Sequence, residues 1–351
     1  MTDPERPAMI DRPGLAALQS EANIAVGPRR VPGRDIPVPT GLDASHAVLV
    51  EAPYSPAWNL APADDDGWRV VQRAMAERVG PILSRIRDEL GITMIRTMLG
   101  RVGAYMLSPA DLPAAHRDQL VFFLHGGGYV LGAGEAGTTE ATLLAAYGRY
   151  RVVSIDYGVA PDRPHPAGLN DAVAAWCALT ASHDPRTLAL GGLSAGGGLA
   201  LALLLHLRDE GLPMPAAVSL GSPWADMTRT GDSYATNEWL DNVLVSYDGY
   251  LSHAGRLYAA GHDLRDPALS PIYGDFAGLP PTILLTGTRD LFLSNTVRTH
   301  RKLRDAGVEA DLQLFEGLSH AQFALTPGAT VTRTACGEIS RFFDRHLIAA
   351  D

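Results

Sequence analysis

Apolar side chains recur at spacings of three and four from Gly67 onward, at Val70, Val71, Met75 and Val79 and then, past Pro81, at Ile82, Leu83, Ile86 and Leu90. That period predicts two short amphipathic helices separated at Pro81, whose ring removes a backbone N–H and crowds the preceding turn. Downstream the period changes. Apolar runs near 93–98, 102–107, 120–124, 151–156, 187–190, 216–220, 281–286 and 311–315 read as strands, several lacking a polar face, as in strands covered on both sides. Helical patterns separate the later runs, which predicts an α/β fold: a mostly parallel eight-stranded sheet with crossover helices on both faces. Between Trp224 and Asp263 the alternation gives way to a polar, aromatic insert with Tyr234, Trp239, Tyr247, Tyr250 and Tyr258. The chain before Gly67 is rich in Pro and Gly, as in Pro32-Gly33 and Pro37-Val38-Pro39, and is expected as an extended arm. The expected division is 1–90 for the arm and first helices and 91–351 for the sheet domain, with an insertion at about 225–265.

The 351 residues, 46% hydrophobic and 19% charged, suffice to bury one large core plus an accessory layer. A net charge of -10, with acids and bases interspersed and no basic patch, argues against nucleic acid and anionic membranes as partners. Lys302 is the only lysine, which leaves no Ser-x-x-Lys arrangement and argues against Schiff-base chemistry. Two cysteines make no disulfide scaffold. Cys177, beside Trp176 in an apolar helical pattern, is expected as a buried, reduced thiol, which fits the cytosol. No basic segment leads into an apolar run at the N-terminus and no stretch is long enough to span a bilayer, so a cytoplasmic protein is expected. A homodimer stays open.

Gly192-Leu193-Ser194-Ala195-Gly196 lies between a strand pattern and the apolar helical run that begins at Gly197, the layout of a nucleophile elbow. A serine on so sharp a turn needs small neighbours, because side chains at Gly192 and Gly196 would meet the adjoining strand and helix. Upstream, the buried run 120–124 leads into His125-Gly126-Gly127-Gly128-Tyr129, where glycines allow backbone N–H groups to approach a developing oxyanion. Gly126 and Gly127 are the expected donors, with Ala195, the residue after the serine, as the third. His125 is read as a brace for this loop. In such sheets the order is Ser, then Asp or Glu, then His. Asp290 stands just past the 281–286 strand and His320 just past 311–315, so they are the candidate acid and base, ahead of Asp263, Asp266, Asp275 and Asp305. With an unshifted imidazole, activity is expected to fall below about pH 6.

Gly132-Ala133-Gly134-Glu135-Ala136-Gly137 matches a dinucleotide fingerprint, but His125 to Leu131 intervene between strand and first glycine, too far to set a helix N-terminus against a pyrophosphate. No Cys/His cluster has zinc spacing, and His253 and His262 are isolated. Neither cofactor nor metal is expected.

The blocks His125–Gly132, Asp156-Tyr157-Gly158-Val159-Ala160-Pro161 with Pro164-His165-Pro166-Ala167 and Asp171, Gly192–Gly197, Ser222-Pro223-Trp224-Ala225-Asp226, Leu279-Pro280-Pro281, Asp290 and His320 follow one another over about 91–351. In this the chain resembles the hormone-sensitive-lipase-like bacterial esterases of the α/β-hydrolase superfamily, whose signature is the HGGG loop. The resemblance implies a cap over the site, built from the segment before the first strand and from the insert. It also implies a serine carboxylic-ester hydrolase acting through an acyl-enzyme on small ester substrates of short to medium acyl chain. A lactone or amide hydrolase on the same triad, or a non-catalytic binding protein on this fold, are the alternatives. Four positions depart from the family pattern: Leu193 where Asp or Thr is usual, Asp162 for Glu, Leu291 for Pro after the acid, and Ala321-Gln322-Phe323 for Gly-Phe after the base.

Overall fold

The apolar runs become strands in the computed structural model, which describes Pro28 and residues 33–348. The strands are β1 (Ile92–Leu99), β2 (Val102–Pro109), β3 (Leu120–Leu124), β4 (Arg151–Ile155), β5 (Leu188–Leu193), β6 (Ala217–Gly221), β7 (Thr282–Gly287) and β8 (Ala310–Phe315). They form one eight-stranded sheet in the order β1-β2-β4-β3-β5-β6-β7-β8. β2 runs antiparallel to β1 and β4, and every pair from β4 through β8 is parallel.

The helices are α1 (Ala44–Glu51), α2 (Asp65–Leu90), α3 (Thr139–Gly148), α4 (Ala167–Thr180), α5 (Ala195–Asp209), α6 (Ser233–Thr236), α7 (Ser252–Ala259), α8 (Leu293–Asp305) and α9 (Thr330–His346). Side chains alternate across the central strands: Leu188 and Leu190 of β5 enter the core that holds Trp176 of α4 and Leu203 of α5, while Ala189 enters the core of Phe342 and Phe343 of α9. α5 is apolar on all sides and buried along most of its length, which removes it from the surface and fixes the elbow before it.

Three expectations need correction. Pro81 does not divide the segment into a pair of helices: α2 runs unbroken through it, capped by Asp64 at one end and by a left-handed Gly91 at the other. Glu77, whose carbonyl loses its partner, and Pro81 are both exposed, so water can serve the freed group. The helix is tied down along its length, by Gln72 Nε2 donating to Val130 O (2.6 Å) and Ala160 O (2.8 Å), and by ion pairs Arg69–Asp162 and Arg87–Glu135. The extended arm falls partly outside the described residues; where it is described it is irregular chain except at α1, which Asp43 caps and which buries Val50 against the core. Cys177 is half-buried and Cys336 is the buried thiol; both are free. Among the described residues no helix is long and apolar enough to cross a membrane.

Candidate active site

Five strand ends converge. β3, β5, β6, β7 and β8 lie side by side, and the segments leaving their C-terminal ends carry His125, Ser194, Ser222, Asp290 and His320, the usual edge for a site in an open α/β sheet.

Ser194 sits between β5 and α5 at φ 57° and ψ -120°, a strained conformation for a residue with a side chain. The close approach that imposes it is measurable: a Cβ on Gly192 would stand 2.4 Å from Gly196 O, and one on Gly196 would stand 2.0 Å from Leu124 O. Ser194 N–H donates to Gly221 O (2.8 Å), which locks the turn to β6. Leu193 packs in the apolar core beside Phe323, so at this position the elbow is supported by packing.

His320 lies between Ser194 and Asp290. Its Nε2 is 2.9 Å from Ser194 Oγ and its Nδ1 is 3.0 Å from Asp290 Oδ1. With Nδ1–H donating to the carboxylate, Nε2 is left as the acceptor for the serine hydroxyl. Asp290 is fully buried and also accepts from Ser222 Oγ (2.5 Å), Thr286 Oγ1 (2.8 Å) and Phe292 N–H (2.7 Å). Burial alone would raise its pKa, but the imidazole's charge and these bonds prevail and hold it below the ordinary value. For His320 burial pulls down, and the charge and hydrogen bond of Asp290, with the charge of Asp241, prevail and raise it above 6.5. The edge of the Phe292 ring, 4.9 Å away between centroids, closes one side of the imidazole.

The glycine loop after β3 folds against the serine: a Cβ on Gly126 would lie 3.4 Å from Ser194 Cβ. Gly127, at φ 112°, turns its carbonyl back to accept from Leu131 N–H (2.8 Å) and from the Tyr250 hydroxyl of the insert (2.7 Å). Ala195 opens α5, so its N–H has no carbonyl one turn back. His125 is buried, stacks on Tyr157 at 4.2 Å and bonds Gly126 O through Nδ1 (2.7 Å). The glycines of the dinucleotide-like motif pack around it: Cβ atoms on Gly132 and Gly137 would stand 2.6 and 2.8 Å from its ring. Their spacing serves the loop, not a phosphate.

The serine and histidine open into a cavity of about 600 Å³. Its walls are Val79, Ile82, Leu83 and Ile86 of α2, Val243, Leu244 and Tyr250 of the insert, and Leu325 beyond the base. Glu140 lines it beside Gly126; burial pushes this carboxyl up to about 7, and the N–H groups of Glu140 and Gly126 partly offset the rise. Among the described residues no group of three His, Cys, Asp or Glu could hold a metal ion.

Sequence reasoning brought Ser194, Asp290, His320 and the glycine loop to one place. It missed Ser222, Thr286, Tyr250, Glu140 and Asp241. The first two occupy strand-end positions that a search for hydroxyls near the acid could have found. The others meet their partners only through the fold.

A sheet of this order, with a sharp serine turn at the end of its central strand, is the architecture of the α/β-hydrolases. The profile of the α/β-hydrolase fold family matches residues 121–324. The chain is 32% identical over 238 residues to an acetyl-hydrolase of Streptomyces hygroscopicus, covering 64% of this chain and 79% of that one. It is 32% identical to an esterase of Acinetobacter venetianus over 58% of this chain and 67% of that one. The crystal structure of esterase E25 superposes with a TM-score of 0.87 at 39% identity, covering 91% of this chain and 99% of that one. An esterase of the bacterial hormone-sensitive lipase family superposes with a TM-score of 0.69 at 32% identity, over 81% of this chain and 99% of its own. The chain belongs to the α/β-hydrolase fold family, in its bacterial hormone-sensitive-lipase-like branch. Its class of enzyme is the carboxylesterase.

Proposed function

We propose that Ser194, His320 and Asp290 are the catalytic triad and that turnover passes through an acyl-enzyme on Ser194. The observation that carries this is the continuous chain of two hydrogen bonds, Ser194 Oγ to His320 Nε2 and His320 Nδ1 to Asp290, opening into the cavity. Ser194 Oγ attacks the ester carbonyl carbon while its proton passes to His320 Nε2. The oxyanion accepts from the N–H groups of Gly126, Gly127 and Ala195. Collapse breaks the C–O bond to the alcohol, and the imidazolium returns the proton to that oxygen. Water then attacks the acyl carbon, gives its proton to His320, and the carboxylic acid leaves with Ser194 restored. Asp290 holds the tautomer and stabilises the imidazolium without itself being protonated.

The largely apolar wall formed by α2 and the insert is the cap, and its enclosure favours soluble esters of roughly four to eight acyl carbons, the range that a cavity of about 600 Å³ admits alongside an alcohol. A p-nitrophenyl ester series from acetyl to palmitoyl, with and without an oil-water interface, tests this. Activity is expected to peak in the middle of the series and to be indifferent to the interface, and preference for palmitoyl with interfacial activation would overturn the reading. The acid limb of kcat/KM is expected above pH 6.5, since His320 must be neutral to act and its pKa is raised, which shifts the sequence-based expectation of about pH 6 upward.

A further inference from the structure

A second buried carboxylate stands beside the triad, and it comes from the insert. Asp241 is fully buried, and among the described residues no cation pairs with it. Its oxygens instead take four backbone N–H groups: Oδ1 from Val243 (2.8 Å) and Leu244 (3.0 Å), Oδ2 from Leu291 (2.8 Å) and His320 (3.3 Å). The first pair is a local turn of the kind aspartate commonly builds. The second pair is long-range and falls on two residues that matter: His320 itself and the residue directly after Asp290. One side chain therefore fastens the acid loop and the base loop to the same point. The bond at 291 exists only because that residue has an N–H, which the proline common at this position in relatives would lack.

We propose that Asp241 is a positioning residue for the base, which holds the Asp290 and His320 loops in register and sets a second negative charge toward the imidazolium that forms at His320. The proposal rests on the reading of His320 as general base. From the elements around it, His320 is faced by Asp290 after β7, Asp241 in the insert, Ser194 at the elbow and the uncharged ring of Phe292; Arg78 of α2 and Glu140 of α3 line the same cavity. Two carboxylates and one imidazole thus share a buried space, and such groups titrate as a set.

Burial, with the charge of Asp290 adding to it, pushes the Asp241 carboxyl up to about 6, although the imidazole and the backbone donors pull the other way. A carboxyl whose folded value lies above its unfolded one stabilises the fold while protonated, and that contribution is lost as pH rises from the unfolded toward the folded value. Above about pH 6 the molecule therefore keeps Asp241 ionised at a cost in stability. That cost is carried beside the His320 imidazole, where the four backbone bonds already place the carboxylate.

The test is the pH dependence of kcat/KM on p-nitrophenyl acetate for the wild type, Asp241→Asn and Asp241→Glu, with circular dichroism on each. In the Asn variant the acid limb is expected to move to lower pH by roughly one unit, the least that removal of a nearby opposite charge produces, with kcat down roughly tenfold. In the Glu variant, which keeps the charge on a longer arm, the limb is expected to stay and kcat alone to fall. A folded Asn variant with an unmoved limb overturns the proposal, since a purely structural residue would lower kcat without shifting the base. Should the Asn variant fail to fold, the imidazole Nδ1 proton of the wild type decides by NMR: two protonation steps support a coupled second carboxylate and a single step overturns it. A wild type with no acid limb at all would instead bring down the reading of His320 on which this stands.

Discussion

At the elbow after β5 the proposed nucleophile is placed by the backbone. Ser194 is held at φ 57° because Gly192, Gly196 and the end of β3 approach within distances that admit no Cβ, and its N–H is tied to β6. In the insert between Trp224 and Asp263 the same task falls to side chains that reach backbone groups far along the chain: Tyr250 to Gly127 O, Asp241 to the N–H groups of Leu291 and His320, and Asn237 Nδ2 to Asp290 O. Ser194 is thus fixed by steric exclusion, which has no partial setting, while His320 and Asp290 are held by hydrogen bonds worth on the order of 1 kcal/mol each, which substitution can remove one at a time. Failure at the elbow should be abrupt. Failure in the insert should be graded.

The sharpest separation comes from Ser194→Ala. Turnover is expected to fall by about 10⁴- to 10⁶-fold while Tm stays within a few degrees of wild type, because the alanine keeps every backbone contact and loses only the reacting oxygen. Residual hydrolysis near the wild-type rate would break the assignment. Next is Asp290→Asn, expected to cost about 10⁴-fold in kcat, since the amide can no longer accept from Nδ1–H and from the Ser222 and Thr286 hydroxyls at once. Asp305→Asn, on the exposed face of α8 against Arg301, serves as its control and is expected within twofold of wild type. Equal losses would refute the choice of acid. Tyr250→Phe removes one bond to the oxyanion loop and keeps the ring, so kcat/KM is expected to fall roughly fivefold with no change in the acid limb; a loss as large as that of Asp290→Asn would erase the contrast between the two regions. The smallest effect concerns Ala321, held at φ 60° in the left-handed region that favours glycine. Ala321→Gly relieves the left-handed strain and incurs glycine's backbone entropy, so unfolding by urea is expected to show a gain of about 0.5 kcal/mol and kcat to be unchanged.

The same contrast explains what could be read from the chain. β3 was legible to the residue because a strand buried on both faces is a continuous apolar run, and the elbow because the glycines it requires are adjacent in sequence. Asp290 and His320 were legible through strand order. Asp241 was not: its turn with Val243 and Leu244 is local, yet its partners at 291 and 320 lie 50 and 79 residues away and leave no periodic trace. Gln322, an odd residue beside the base, shows its reason only in the fold, where its side chain bonds Leu49 O of α1 and Asn242 of the insert. α2 departs from the expected pair of helices because the penalty for a proline inside a helix depends on whether water can reach the freed carbonyl, which burial decides and spacing does not.

The wall that α2 contributes to the cavity has a consequence for how this enzyme could diversify. Val79, Ile82, Leu83 and Ile86 line the cavity that opens on Ser194, while the proposed triad, the glycine loop and the insert residues Val243, Leu244 and Tyr250 that share this lining lie on chain from Gly126 onward. One wall of the cavity therefore comes from a stretch of gene separate from the rest of the site, joined to it by a few anchors at Gln72, Arg69 and Arg87. Changes within this one helix are expected to shift the range of esters while leaving Ser194, His320 and Asp290 in place. Exchange of residues 65–90 with those of a relative, anchors retained, is expected to move the acyl preference in part, the insert keeping its share of the wall.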